Sequence, residues 1–167
     1  MNNWEKITEE DYKKIWGWFY KEFSFNPSTS LEEWPSIRTI KPNIKIDITN
    51  LWGNNYNEII WDDFLQKAIE AFIQITNPEE KIFALDWHHE CFYINPRELT
   101  PAILNDDESS IPIISFIPDG DYYIFITKDF ENVWFGHPWE KTVTIIGSKL
   151  INAFNNNLPL LVQKAKT

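Results

Sequence analysis

Asp121-Tyr122-Tyr123-Ile124-Phe125-Ile126-Thr127 is apolar on both of its faces. In an extended chain Tyr122, Ile124 and Ile126 project to one side, and Tyr123 and Phe125 to the other. A strand of that kind belongs at the centre of a sheet that is covered on both sides. Just before it, Pro118-Asp119-Gly120 separates it from the apolar run 113–117. Proline presets φ and glycine permits a positive one, so a hairpin is predicted between 113–117 and 121–127. Just after it, 133–135 and 142–146 form two more strands around Gly136-His137-Pro138-Trp139. Residues 81–87 and 91–95, joined by His88-His89-Glu90, make a further hairpin. Ile44, Ile46 and Ile48 alternate with polar residues, as in a half-buried strand.

Helices bracket these strands. Thr8 with Asp11 approximates a capping box, and Tyr12, Ile15, Trp16, Phe19 and Phe23 then follow a 3.6-residue period. Residues 24–42, with Pro27, Pro35 and Pro42, form an irregular loop. A second helix spans 58–75, with Asp62 and Asp63 toward the positive end of its dipole. Residues 96–110 are a loop, and Ser148 caps a last helix that carries Leu150, Phe154 and Leu158. The fold class is therefore α+β. One domain, 1–167, holds a mostly antiparallel sheet of five to seven strands, with N-terminal, central and C-terminal helices packed on it.

At 167 residues and 43% hydrophobic, the chain is long and apolar enough to bury one sizeable core. Its formal charge of −10 opposes binding to nucleic acid or to an anionic membrane, so neither is an expected partner. No basic-then-apolar leader opens the sequence, and no apolar run approaches the ~20 residues of a membrane span. Cys91 stands alone, which leaves no disulfide framework and no four-cysteine zinc site. A cytoplasmic location is the resulting expectation.

The charge is concentrated. Residues 86–140 hold eleven Asp or Glu against Arg97 and Lys128. If their loops gather on one face, that surface suits a basic protein partner. Asp106, Asp107, Glu108, Asp129 and Glu131 are the loop acids expected to make the contact.

Chemistry is expected where Asp86, His88, His89, Glu90, Asp119, Asp121, His137 and Glu140 converge. His88-x-Glu90 places an imidazole and a carboxylate on one face of a strand. With His137 they compose a two-histidine, one-carboxylate metal set. A polar turn with hydrogen-bonded histidines is the plainer alternative. Asp119-Gly120-Asp121 lacks the further oxygen ligands of a calcium loop. Gly136-His137-Pro138-Trp139 suits either a general-base histidine beside an aromatic platform or a shaped turn. Cys91 begins an apolar strand, as a buried inert thiol does. No nucleophile elbow, phosphate loop or dinucleotide fingerprint is present, so no catalytic residue is assigned and no cofactor is expected. Among nine tryptophans, Trp18, Trp34 and Trp52 fall off the core pattern and are candidates for an exposed surface, with Trp34 or Trp52 placed to stack on sugars.

Three stretches are distinctive together: Ala84-Leu85-Asp86-Trp87-His88-His89-Glu90-Cys91-Phe92-Tyr93, Pro118-Asp119-Gly120-Asp121-Tyr122-Tyr123-Ile124-Phe125, and Phe135-Gly136-His137-Pro138-Trp139-Glu140 followed by Ile146-Gly147. With Trp4, Ile15-Trp16 and Phe23-Ser24-Phe25-Asn26-Pro27-Ser28, the chain resembles a bacterial family catalogued as domain of unknown function 2716. That resemblance implies no established activity. The order of elements is also similar to that of SUKH-type proteins, many of which are immunity proteins. The leading expectation is a non-catalytic binding protein of immunity or antitoxin type. A metal-dependent hydrolase or oxygenase using His88, Glu90 and His137 is the alternative, and a carbohydrate-binding module is the third reading.

Overall fold

The computed structural model describes residues 3–106 and 114–165. Seven strands form one sheet: β1 (Glu5–Lys6), β2 (Asn43–Asp47), β3 (Ile82–Asp86), β4 (Phe92–Ile94), β5 (Tyr123–Ile126), β6 (Val133–His137) and β7 (Thr142–Ile146). Their spatial order is β1-β4-β3-β5-β6-β7-β2, and every pairing is antiparallel. The strand apolar on both faces is fourth of the seven. The 81–87/91–95 hairpin is present as β3 and β4, paired from Ile82↔Ile94 to Ala84↔Phe92.

Side-chain alternation gives the sheet two cores. On one face Ile82, Ala84, Phe125, Trp134, Val143 and Ile145 meet α2 (Glu58–Ile75), α3 (Pro101–Leu104), α4 (Ser148–Asn155) and α5 (Leu160–Ala165). On the other, Leu85, Tyr122, Ile124, Ile126, Val133 and Phe135 meet α1 (Glu9–Phe23) and the loop that follows it. The predicted stripe is what α1 buries: Ile15, Trp16, Phe19 and Phe23. Its N-cap is Thr8, whose Oγ1 accepts from Asp11 N–H at 3.1 Å. Asn57 caps α2 in the same way, accepting from Ile59 and Ile60.

Two expectations change. The 113–117/121–127 hairpin is absent from the described part of the pair, residues 114–127. β5 already pairs with β3 along one edge and β6 along the other, so a further strand has no edge to join. Residues 114–117 instead form an irregular segment that drives Ile114, Phe116 and Ile117 into the α2-side core. Phe116 lies 4.1 Å from Phe125, ring centre to ring centre, and its carbonyl accepts from Trp134 Nε1 at 3.0 Å. Ile113 lies outside the described residues.

The last helix also differs. Gly147, not Ser148, takes the N-cap position, with φ 105° and no side chain to cap with. A Cβ there would lie 2.4 Å from the Glu131 carbonyl and 2.5 Å from Asn132 Oδ1. That close approach lets the remote Asn132 accept from Leu150 N–H at 3.1 Å, a cap supplied from another strand end. Leu158 falls beyond α4, in the turn before Pro159 and α5. The 96–110 loop contains α3. No helix among the described residues is long and apolar enough to cross a membrane.

Candidate functional site

Antiparallel pairing brings the three distinctive stretches to one end of the sheet. Asp86 ends β3 opposite Tyr123, Tyr123 pairs with Gly136, and His137 ends β6 opposite Thr142. Parity then divides them. Asp86 continues the face of Ile82 and Ala84, toward α2, whereas His137 continues the face of Val133 and Phe135, toward α1.

On the α1 face His137 is buried, and its hydrogen bonds fix its tautomer. Nδ1 accepts from Glu140 N–H at 3.0 Å, so Nε2 carries the proton and donates to Ser36 Oγ at 3.1 Å. Ser36 Oγ in turn meets Tyr122 Oη at 3.1 Å, which also accepts from Ser28 N–H and donates to the Ser28 carbonyl. The ring edges of Trp34, Tyr122 and Trp139 close over the imidazole. Burial holds its pKa down to about 4, the Glu140 carboxylate opposing and Lys45 reinforcing that shift. A serine nucleophile needs an unprotonated Nε2 to take its proton. Here that nitrogen is the donor, so Ser36 and His137 tie the loop to the sheet rather than form a catalytic pair.

The α2 face carries the other cluster. Asp86 and Asp121 are 3% and 5% exposed, 35 positions apart in sequence and adjacent in space. One oxygen of each is held by backbone: Asp86 Oδ1 accepts from His88 N–H at 3.1 Å, and Asp121 Oδ1 from Tyr122 N–H at 2.8 Å. The second oxygens face imidazoles. His89 Nδ1 lies 3.1 Å from Asp86 Oδ2 and 3.9 Å from Asp121 Oδ2, and His88 Nδ1 lies 2.8 Å from Asp121 Oδ2. Both histidines are exposed, so the cluster opens to solvent through them. Burial pushes the Asp86 carboxyl up, its hydrogen bond with Asp121 adds to the rise, and His89 and the His88 amide pull it back. Tyr123 beside them is pushed up to about 12, chiefly by burial and then by the charges of Asp86 and Asp121. Donor atoms of Asp86, His89 and Asp121 all lie within 4.8 Å of one another, an arrangement able to hold a metal ion.

His88, Glu90 and His137 are not brought together. Glu90 Oε1 pairs with Lys6 Nζ at 2.7 Å, His88 with Asp121, and His137 with Ser36 behind the sheet. The i,i+2 rule requires the strand to run on through His88, but β3 stops at Asp86 and the chain turns. Asp86 and His89, three apart across that turn, are the pair that meets.

Among the described loop acids, Asp106 lies apart from Asp129 and Glu131. Asp106 is exposed at the end of α3, beside the start of α2, where Asn105 bonds Trp61 and Asp62. Asp129 and Glu131 lie in the β5–β6 turn, whose Phe130 packs on Trp18 under α1. Asp129 there accepts from Thr127 Oγ1 and Glu131 N–H. Asp107 and Glu108 fall outside the described residues. The three candidate tryptophans are each half-buried and engaged: Trp18 with Phe23 and Phe130, Trp34 with the Ser28 carbonyl and His137, and Trp52 with Trp61 and Lys141.

Among known proteins, the chain is similar to the uncharacterized protein YxiI of Bacillus subtilis (strain 168). The two are 27% identical over 165 residues, covering 96% of this chain and 98% of the relative. No solved structure matches it. The family described as "Protein of unknown function (DUF2716)" matches residues 6–151, and the cluster residues Asp86, His89 and Asp121 all lie inside that span. On that match, covering most of its length, the chain belongs to the DUF2716 family.

Proposed function

We propose that this protein binds a divalent transition metal through Asp86, His89 and Asp121. The observation that carries the reading is the convergence of three donor atoms within 4.8 Å, two of them on carboxylates buried side by side. Two carboxylates buried side by side repel each other, and a cation between them relieves that repulsion. Metal bonds of about 2.0–2.2 Å place ligand atoms roughly 3–4 Å apart, a closure that small side-chain rotations achieve from this spacing. One imidazole with two carboxylates suits zinc, manganese, iron or cobalt rather than a thiolate-seeking ion. Three protein ligands leave a position open for water, which is the pattern of catalytic rather than structural zinc.

An acidic surface for a basic partner, as in an immunity protein, has the net charge of −10 in its favour. It has less support from geometry, because Asp106 sits at α3 while Asp129 and Glu131 sit on a turn packed against the α1 layer. The test is equilibrium dialysis of untagged protein against Zn²⁺ or Mn²⁺, followed by elemental mass spectrometry. One equivalent of metal is expected, and none in an Asp86→Asn, Asp121→Asn double variant whose circular dichroism matches the parent. Equal metal contents in the two proteins would overturn the reading.

A further inference from the structure

We infer that His88 is a positioning residue for the metal ligand Asp121, an inference that rests on the metal reading above. His88 does not belong to the three-residue donor group. Its Nδ1 instead lies 2.8 Å from Asp121 Oδ2, the oxygen that faces the centre. A carboxylate oxygen has more than one lone-pair direction, so Oδ2 accepts from His88 and still ligates an ion. With Asp121 Oδ1 tied to the Tyr122 amide, the His88 bond restrains the second oxygen and limits the carboxylate to small rotations.

His88 is itself held from the other face of the sheet. Its ring packs on Trp87, with centroids 4.0 Å apart, and Trp87 Nε1 donates to Tyr20 Oη of α1 at 2.9 Å. Trp87 also abuts Tyr122, whose amide holds Asp121. The chain Tyr20–Trp87–His88 thus runs from the α1 layer around the sheet end to a ligand oxygen on the α2 side. Outer partners of this kind set the orientation and basicity of a ligand, and their loss costs about 10–100-fold in metal affinity. Because half of the His88 side chain faces solvent, it is replaceable without opening a core cavity.

Co²⁺ titration followed by its visible d–d bands tests the inference on the untagged protein. His88→Ala is expected to weaken Co²⁺ binding by about 10–100-fold and to shift the bands. His88→Asn, whose amide N–H reaches the place of Nδ1, is expected to restore most of both. Glu90→Ala, on the same link but paired with Lys6, is expected to behave as the parent. A His88→Ala protein with the parent's Co²⁺ affinity and spectrum would overturn the positioning role and leave the metal centre standing. If the parent and Asp121→Asn alike fail to bind Co²⁺, the metal reading itself fails and this role falls with it.

Discussion

Replacing His137 by glutamine removes a buried imidazole that the fold keeps neutral. In the folded chain Nδ1 accepts from the Glu140 amide, so an added proton there would point at another hydrogen. The site takes that proton only near pH 4, against about 6.5 for the unfolded chain. The unfolded state therefore binds the proton first. The stability His137 contributes is complete above about pH 6.5 and is lost as the pH falls toward 4. At about 1.36 kcal/mol per pH unit of that gap, the loss is on the order of 3 kcal/mol. Asp86, with its raised pKa, acts in the opposite sense, but equally in both proteins. Urea unfolding of parent and His137→Gln between pH 7.5 and 4 isolates the difference. At pH 7.5 the variant is expected to be less stable by about 1–3 kcal/mol, because the Glu140 amide loses its acceptor. The gap is expected to close on acidification, since glutamine does not titrate. Parallel stability curves across that window would refute the neutral, Nε2-protonated assignment.

Gly147→Ala places a Cβ 2.4 Å from the Glu131 carbonyl at φ 105° and disturbs the Asn132 cap of α4, and thermal unfolding should show a loss of at least about 2 kcal/mol. Burial pushes the Cys91 thiol up to about 11, with the side chain 1% exposed. Alkylation at pH 8 is therefore expected to be at least about 100-fold slower in the native protein than in urea, and comparable rates would show that the β4 entry opens readily.

The helices and the central strand were legible in the sequence because their signals are local. Thr8 and the Ile15–Phe23 stripe lie within a few residues of what they cap and bury. β5 carries the evidence for its two-sided covering in its own alternation. The same alternation bears on the metal set only in part. Counting parity along β3 and β6 says which side Asp86 and His137 face within each strand, but not which sides coincide. That depends on register, Asp86 opposite Tyr123 and Tyr123 opposite Gly136, and register is a relation between strands. For the same reason 114–117, apolar enough for a strand, is not one: β3 and β6 had filled both edges of β5, and an occupied edge leaves no mark in the sequence it excludes. The sequence by itself determined the two long helices α1 and α2, which strand was central and that acids and histidines gather near the β3–β4 turn. Only the tertiary structure decided that Asp86, His89 and Asp121 come together, and not His88, Glu90 and His137, because hydrogen-bonded pairing brings together carboxylates that the chain holds 35 residues apart.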